Sequence, residues 1–256
     1  MDRLAFNAVA SINEQRVARQ MTTNELANVS TPGFKRSFEA AMRPIKAEGV
    51  GFETRMQPQS QTTDYINLKP GSQMATGNDL DISLSEQAVM GVSAPDGTLA
   101  FTRRGDLKLT ATGALENGAG HLVRGQGGGP ITIPPGFKVS VNDDGSVYAI
   151  NPAQAGPPVP VLIDRILMRD ARRTPLDRRP DGLFQVWDKP PGTDIAAVPG
   201  VPAPSLTSKT LEGSNVNPLE VMVKLMEQSR SFEQQVNVIK QSKDADEAGA
   251  SMMKPA

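Results

Sequence analysis

The feature that most constrains this chain is the placement of its helix breakers. Residues 1–31 contain neither Gly nor Pro, and neither do residues 219–248. Of 23 glycines and 21 prolines, all but Gly249 and Pro255 fall between those stretches. In a helix interior Pro costs about 3 kcal/mol and Gly about 1 kcal/mol relative to Ala. Two clear stretches therefore predict long terminal helices around a loop-rich body. Each helix would run about 45 Å at ~1.5 Å per residue, too long to hide in a small globule. The ends are expected to pack on something else.

The N-terminal helix is expected over residues 3–29. Ala5, Ala8, Val9 and Ile12 share one face at i, i+3, i+4, i+7 spacing, and Val17, Met21, Leu26 and Val29 extend it. Ser30-Thr31-Pro32-Gly33 stops it, because the residue before Pro resists the helical region and Gly accepts positive φ. At the other end Asn217-Pro218 is a start signal, a capping side chain followed by Pro at the first helical position. Met222, Leu225, Ser229, Phe232, Val236 and Ile239 then follow at spacings of 3, 4, 3, 4 and 3, the period of a coiled-coil seam.

The middle reads as strands and turns. Leu80, Ile82 and Leu84 alternate with polar residues, the pattern of a half-buried strand. Leu107 and Leu109 before Thr112-Gly113 suggest a strand and a turn. Val139 and Val141, then Asn142-Asp143-Asp144-Gly145, then Val147 and Ala149, form the strongest hairpin signal. Another strand is expected within residues 159–167, and many short strands with Gly/Pro turns predict a small sandwich or barrel-like body.

Several chemistries are excluded or disfavoured. The absence of Cys rules out disulfides, thiolate metal sites and cysteine nucleophiles. The balance of 27 basic against 28 acidic residues implies no nucleic-acid partner. His121 is the only histidine and lacks the partners a catalytic or metal site needs. The glycines of residues 125–129 lack the Gly-Lys-Ser/Thr ending of a phosphate loop. Asp79 and Asp81 read as one solvated strand face. Arg165, Arg169, Arg172, Arg173, Arg178 and Arg179 interleave with Asp164, Asp170, Asp177 and Asp181, which reads as a solvated face or a polar subunit contact. No catalytic, cofactor-binding or metal-binding residue is expected. No signal-peptide core or run of 18 apolar residues is present, so export without a cleaved signal and no direct membrane insertion are expected.

Residues 24–35, Asn-Glu-Leu-Ala-Asn-Val-Ser-Thr-Pro-Gly-Phe-Lys, are close to the pattern N-N-L-A-N-V-x-T-x-G-F-K. Residues 211–223, Leu-Glu-Gly-Ser-Asn-Val-Asn-Pro-Leu-Glu-Val-Met-Val, are close to L-E-x-S-N-V-N-x-x-x-E-M-V, with Val221 where the pattern has Glu, and residues 228–233 follow as Q-S-R-S-F-E. Residues 76–82 and 102–107 match two shorter internal motifs. On these segments the chain resembles the flagellar basal-body rod and hook proteins, and its length and Met-Asp-Arg-Leu opening favour a proximal rod member. The motif residues carried over are Asn24, Leu26, Ala27, Asn28, Thr31, Gly33, Phe34, Ser214, Asn215, Val216 and Asn217.

The resemblance implies a structural subunit, not an enzyme. Such a subunit is exported through the flagellar type III apparatus and assembles with proximal and distal rod proteins into a periplasmic helical tube. That tube transmits torque and encloses the export channel. The expected fold class is mixed α+β, with long N- and C-terminal helices forming a coiled-coil-like rod domain and a central all-β body. The expected organisation is a rod helix at 1–34, a connector at 35–75 and a β-rich domain at 76–197. A linker at 198–212 and a second rod helix at 213–256, paired with the first, complete it. Subunit contacts are expected at Ala5, Val9, Ile12, Leu26, Val29, Met222, Leu225, Phe232, Val236 and Ile239. The alternatives are a distal rod subunit, or a non-flagellar coiled-coil protein carrying a β binding domain.

Overall fold

The computed structural model describes residues 2–37, 41–46, 56–61, 65–153, 159–197, 200 and 202–252. The chain divides into two compact units. The first comprises Met1–Asn28, Glu39–Thr63 and Asn217–Ala256, and the second Val29–Phe38 and Asp64–Val216.

The first unit holds helix α1 (Asp2–Ala27), strands β1 (Ala41–Lys46) and β2 (Met56–Gln61), and helix α2 (Pro218–Met252). The strands form an antiparallel pair, Ala41 opposite Gln61 and Lys46 opposite Met56. Asn217 caps α2, its Oδ1 accepting from the Leu219 amide at 3.0 Å. The two helices meet through side-chain amides and hydroxyls. The Gln15 amide donates to Ser231 Oγ at 2.7 Å, that of Gln228 to Thr22 Oγ1 at 3.2 Å, and that of Gln235 to Ser11 Oγ at 2.7 Å.

This corrects the expected coiled-coil-like rod domain. Among the described residues there are two helices against sixteen strands, and no coiled coil. Of the predicted seam, Met222 is 46% and Phe232 41% exposed. The residues that reach α1 from α2 are Gln228, Ser231 and Gln235, one position before Ser229, Phe232 and Val236. They are met on α1 by Ser11, Gln15 and Thr22. Hydrogen-bonding side chains therefore share the helix contact with the half-buried Leu225, Val236 and Ile239 of the predicted seam. Buried polar groups need partners, and these two faces supply them to each other.

The second unit is built on a five-stranded antiparallel sheet in the order β12-β5-β6-β14-β13. Along the chain, β3 is Gln73–Ala75, β4 Ile82–Leu84, β5 Ala88–Ser93, β6 Leu99–Thr102, β7 Leu107–Leu109 and β8 Leu115–Asn117. β9 (Lys138–Val141), β10 (Ser146–Ile150) and β11 (Val161–Arg165) form a second sheet. β12 (Met168–Asp170), β13 (Leu176–Arg178), β14 (Phe184–Val186), β15 (Leu206–Ser208) and β16 (Thr210–Glu212) complete the unit. β15 pairs with β4, and β16 with β3.

Side chains alternate across a strand, so a sheet with both faces covered reads as a continuous apolar run. β5 does this. Ala88, Met90 and Val92 enter one core with Ile82, Leu115, Ile131, Val147 and Ile166. Val89 enters another with Phe101, Leu176, Phe184 and Ile66. β4 is likewise buried throughout, Ser83 included, so the half-buried reading of residues 80–84 is corrected. Asp79 and Asp81 do not act as a pair. Asp79 meets Lys209 at 3.0 Å, and Asp81, largely buried, accepts from Asn78 at 3.0 Å.

Candidate functional site

Parts of three of the segments singled out by sequence pattern, around residues 33–35, 102–107 and 211–216, meet within the second unit. Gly33 lies at φ +68°, where an L side chain is strained. A Cβ on it would stand 2.3 Å from the Arg103 carbonyl oxygen. Its amide donates to the Glu212 carbonyl at 2.7 Å. Gly33 is thus held against the backbone of Arg103 and pinned to β16.

Beside this crossing sits a buried ion cluster. Lys35 and Arg103 are fully buried, and Glu212 is 2% exposed. Lys35 Nζ donates to Glu212 Oε1 at 2.6 Å and to the Lys69 carbonyl at 2.9 Å. Arg103 Nε donates to Glu212 Oε2 at 2.8 Å, and its remaining nitrogens reach the carbonyls of Leu84, Glu86 and Ala88, each at 2.7 Å. The Gly71 amide also donates to Glu212 Oε1 at 2.9 Å. One carboxylate late in the sequence therefore holds two cations, one from near its start and one from its middle. Burial pushes the Lys35 ammonium down from 10.5 to about 8, with Glu212 raising it and Arg103 lowering it further.

A second clasp lies along the same segments. Asn215 Oδ1 accepts from the Arg36 amide at 2.8 Å, while its Nδ2 donates to the Asn67 carbonyl at 2.8 Å. Arg178 lies 4.4 Å over the Phe34 ring and donates to the Lys35 carbonyl. Of the other clustered arginines, Arg165 pairs with Asp144, Arg169 with Asp194, Arg172 with Glu86 and Asp170, and Arg179 with Asp96 and Asp181. Those arginines are engaged within the body.

The remaining motif residues have local roles. The Asn28 side-chain amide donates to the Asn24 carbonyl at 2.9 Å where α1 ends. The Thr31 carbonyl accepts from the Phe34 amide, and Ser214 Oγ accepts from the Val216 amide. Leu26 and Val29 are half-buried, Ala27 is exposed and Val216 is buried. Among the expected contact residues, Val9, Met222 and Phe232 are exposed, while Ile12, Leu225, Val236 and Ile239 are half-buried. The Ala5 side chain lies outside the described residues.

Sequence reasoning did not single out Lys35, Arg103 or Glu212. The available signal was three charges of opposite sign, each inside a quoted motif. A buried charge needs a partner, and motifs that meet can supply one.

The arrangement is that of a structural part: a β body whose flanking segments are locked into it by buried charge. Two family models match it. One, described as "Flagellar basal body rod FlgEFG protein C-terminal", covers residues 207–252, and the other, "Flagellar hook protein FlgE/F/G D1 domain", covers residues 88–149. The flagellar basal-body rod protein FlgF of Salmonella typhimurium is 32% identical over 240 residues, 93% of each chain. FlgF of Escherichia coli is 30% identical over 93% of each chain. The chain therefore belongs to the flagellar basal-body rod protein family. Within it the resemblance is greater to these FlgF proteins than to FlgG of Buchnera aphidicola, which is 27% identical over 87% of this chain and 88% of its own.

Proposed function

We propose that this chain is a structural subunit of the flagellar basal-body rod and assembles there with other rod proteins. The relation to rod proteins along 93% of the chain carries this reading. The internal architecture supports it. A body locked by a buried ion cluster suits a part that bears load, and the exposed apolar side chains of α2 offer contact area.

The finer reading is a proximal rod position in the periplasmic stretch of the basal body, reached through the flagellar type III apparatus. There the subunit helps enclose the export channel and transmits torque without enzymatic activity. Subunit contacts are assigned to Ala5, Val9, Ile12, Leu26, Val29, Met222, Leu225, Phe232, Val236 and Ile239. The test is complementation of a strain lacking this chain. The parent restores assembly beyond the inner-membrane ring and Phe232→Asp does not, although its body melts as the parent's does. Restored assembly by Phe232→Asp refutes the contact assignment. Normal basal bodies without any copy of this chain refute the function.

A further inference from the structure

The polar contact between α1 and α2 has a specific composition. Ser11, Gln15 and Thr22 on α1 are spaced 4 and 7 residues apart, and Gln228, Ser231 and Gln235 on α2 by 3 and 4. Both spacings keep the residues on one helical face. Each of the three bonds joins one glutamine amide to one hydroxyl across the pair, and the direction alternates: α1 donates once and α2 donates twice. The carbonyl oxygens of Gln15, Gln228 and Gln235 are buried and have no hydrogen-bond partner among the described residues. Buried acceptors left unpaired are unfavourable, so this face is not optimised for adhesion. Meanwhile Leu219, Met222, Val223 and Met226 remain exposed on α2. The pair therefore carries polar groups in its contact beside half-buried Ile12, Leu225, Val236 and Ile239, while a second apolar stripe stays outside it.

We propose that Gln15, Gln228 and Gln235 set the axial register of α1 against α2, at the expense of the strength of the pairing. An apolar contact slides, because any large side chain fits the next hollow nearly as well. A slip by a turn breaks all three amide–hydroxyl bonds together, setting Gln15 against Gln228 or Gln235 in place of Ser231. In a subunit that presents both helices to neighbours, register fixes where the exposed stripe of α2 stands relative to Val9 on α1.

The chain has no cysteine, so Arg19→Cys and Glu227→Cys place one nitroxide on each helix, both at exposed positions. Double electron–electron resonance on the full chain is expected to give one narrow distance. In a Gln15→Leu/Gln228→Leu/Gln235→Leu background the helices are expected to stay paired. A second distance then appears, displaced by about 5–10 Å, the rise of one to two turns. Ser11→Ala/Thr22→Ala/Ser231→Ala, which adds no bulk, is expected to show the same second distance. Exchanging the partners as Thr22→Gln/Gln228→Thr, with Gln15→Leu and Gln235→Leu retained, is expected to restore a single distance. One unchanged distance in both the leucine and alanine sets overturns the proposal. So does complete unpairing in the alanine set, since the bonds would then hold the helices rather than align them. A partner exchange that leaves two distances also counts against it.

Discussion

Glu212→Gln is the sharpest perturbation of the clasp. The side chain keeps its size and can still accept from the Gly71 amide, but it loses the one charge that faces Lys35 and Arg103. Removing one partner of a buried ion pair costs about 3–5 kcal/mol, because the other charge stays buried and uncompensated. Here two cations are left, so the upper half of that range is expected at pH 7. The pH dependence identifies the cause. In the parent, Lys35 titrates near 8 when folded and near 10.5 when unfolded. At ~1.4 kcal/mol per unit, its buried charge already costs roughly 3 kcal/mol at neutral pH, and this cost is relieved as pH rises from about 8 to about 10.4.

Without Glu212 the folded lysine titrates lower still. The variant then begins to gain stability at a lower pH than the parent, and the gap between them narrows on the way to about pH 8. The assay is urea denaturation from pH 6 to pH 9.5, followed by the fluorescence of Trp187. It is the only tryptophan, it belongs to the body, and it stacks edge-on against Tyr65. A loss below about 1 kcal/mol, or a loss that does not shrink with pH, refutes the reasoning.

Lys35→Met removes one of the two buried cations while Arg103 keeps its carboxylate, so body stability is expected to stay within about 1 kcal/mol of the parent in the same denaturation assay. Gly33→Ala forces a side chain into positive φ and against the Arg103 carbonyl, and a loss of roughly 2–4 kcal/mol is expected in thermal melts. Lys209 adopts φ +59° between β15 and β16, so Lys209→Gly is expected to stabilise the body by about 0.5–1 kcal/mol in differential scanning calorimetry, less its exposed ion pair with Asp79. The Asp96 and Asp144 carboxyls are held below the usual range, first by hydrogen bonds from Thr98 and Ser146 respectively. Their stabilising contribution is present above about pH 4 and lost as pH falls through the folded values, so Asp96→Asn with Asp144→Asn is expected to flatten the acid limb of a stability–pH curve.

Some of this architecture was legible in the chain. Asn217-Pro218 marks the start of α2 because the capping side chain and the missing amide act locally. The Asp144-Gly145 turn lies between β9 and β10, with Gly145 at φ +83° and Val147 opposite Val141, because a two-strand turn is set by its own residues. The burial of β4 and β5 was not legible. Residues 80–84 alternate in character, yet Ser83 is buried, and the second face of β5, at Val89, is covered by distant segments such as β14 and Ile66.

The helix contact was misread for a related reason. A search for apolar period finds Met222 and Phe232, which are exposed, with Leu225, Val236 and Ile239, which are half-buried, but it passes over Gln228, Ser231 and Gln235, which bond to α1 at the same period. Sequence alone determined local events: where breakers are absent, where a cap or turn forms, and which segments mark the family. Tertiary structure alone decided which charges are buried together. Lys35 and Glu212 lie 177 positions apart, and their 2.6 Å contact exists only because the chain returns to its starting point and excludes water there.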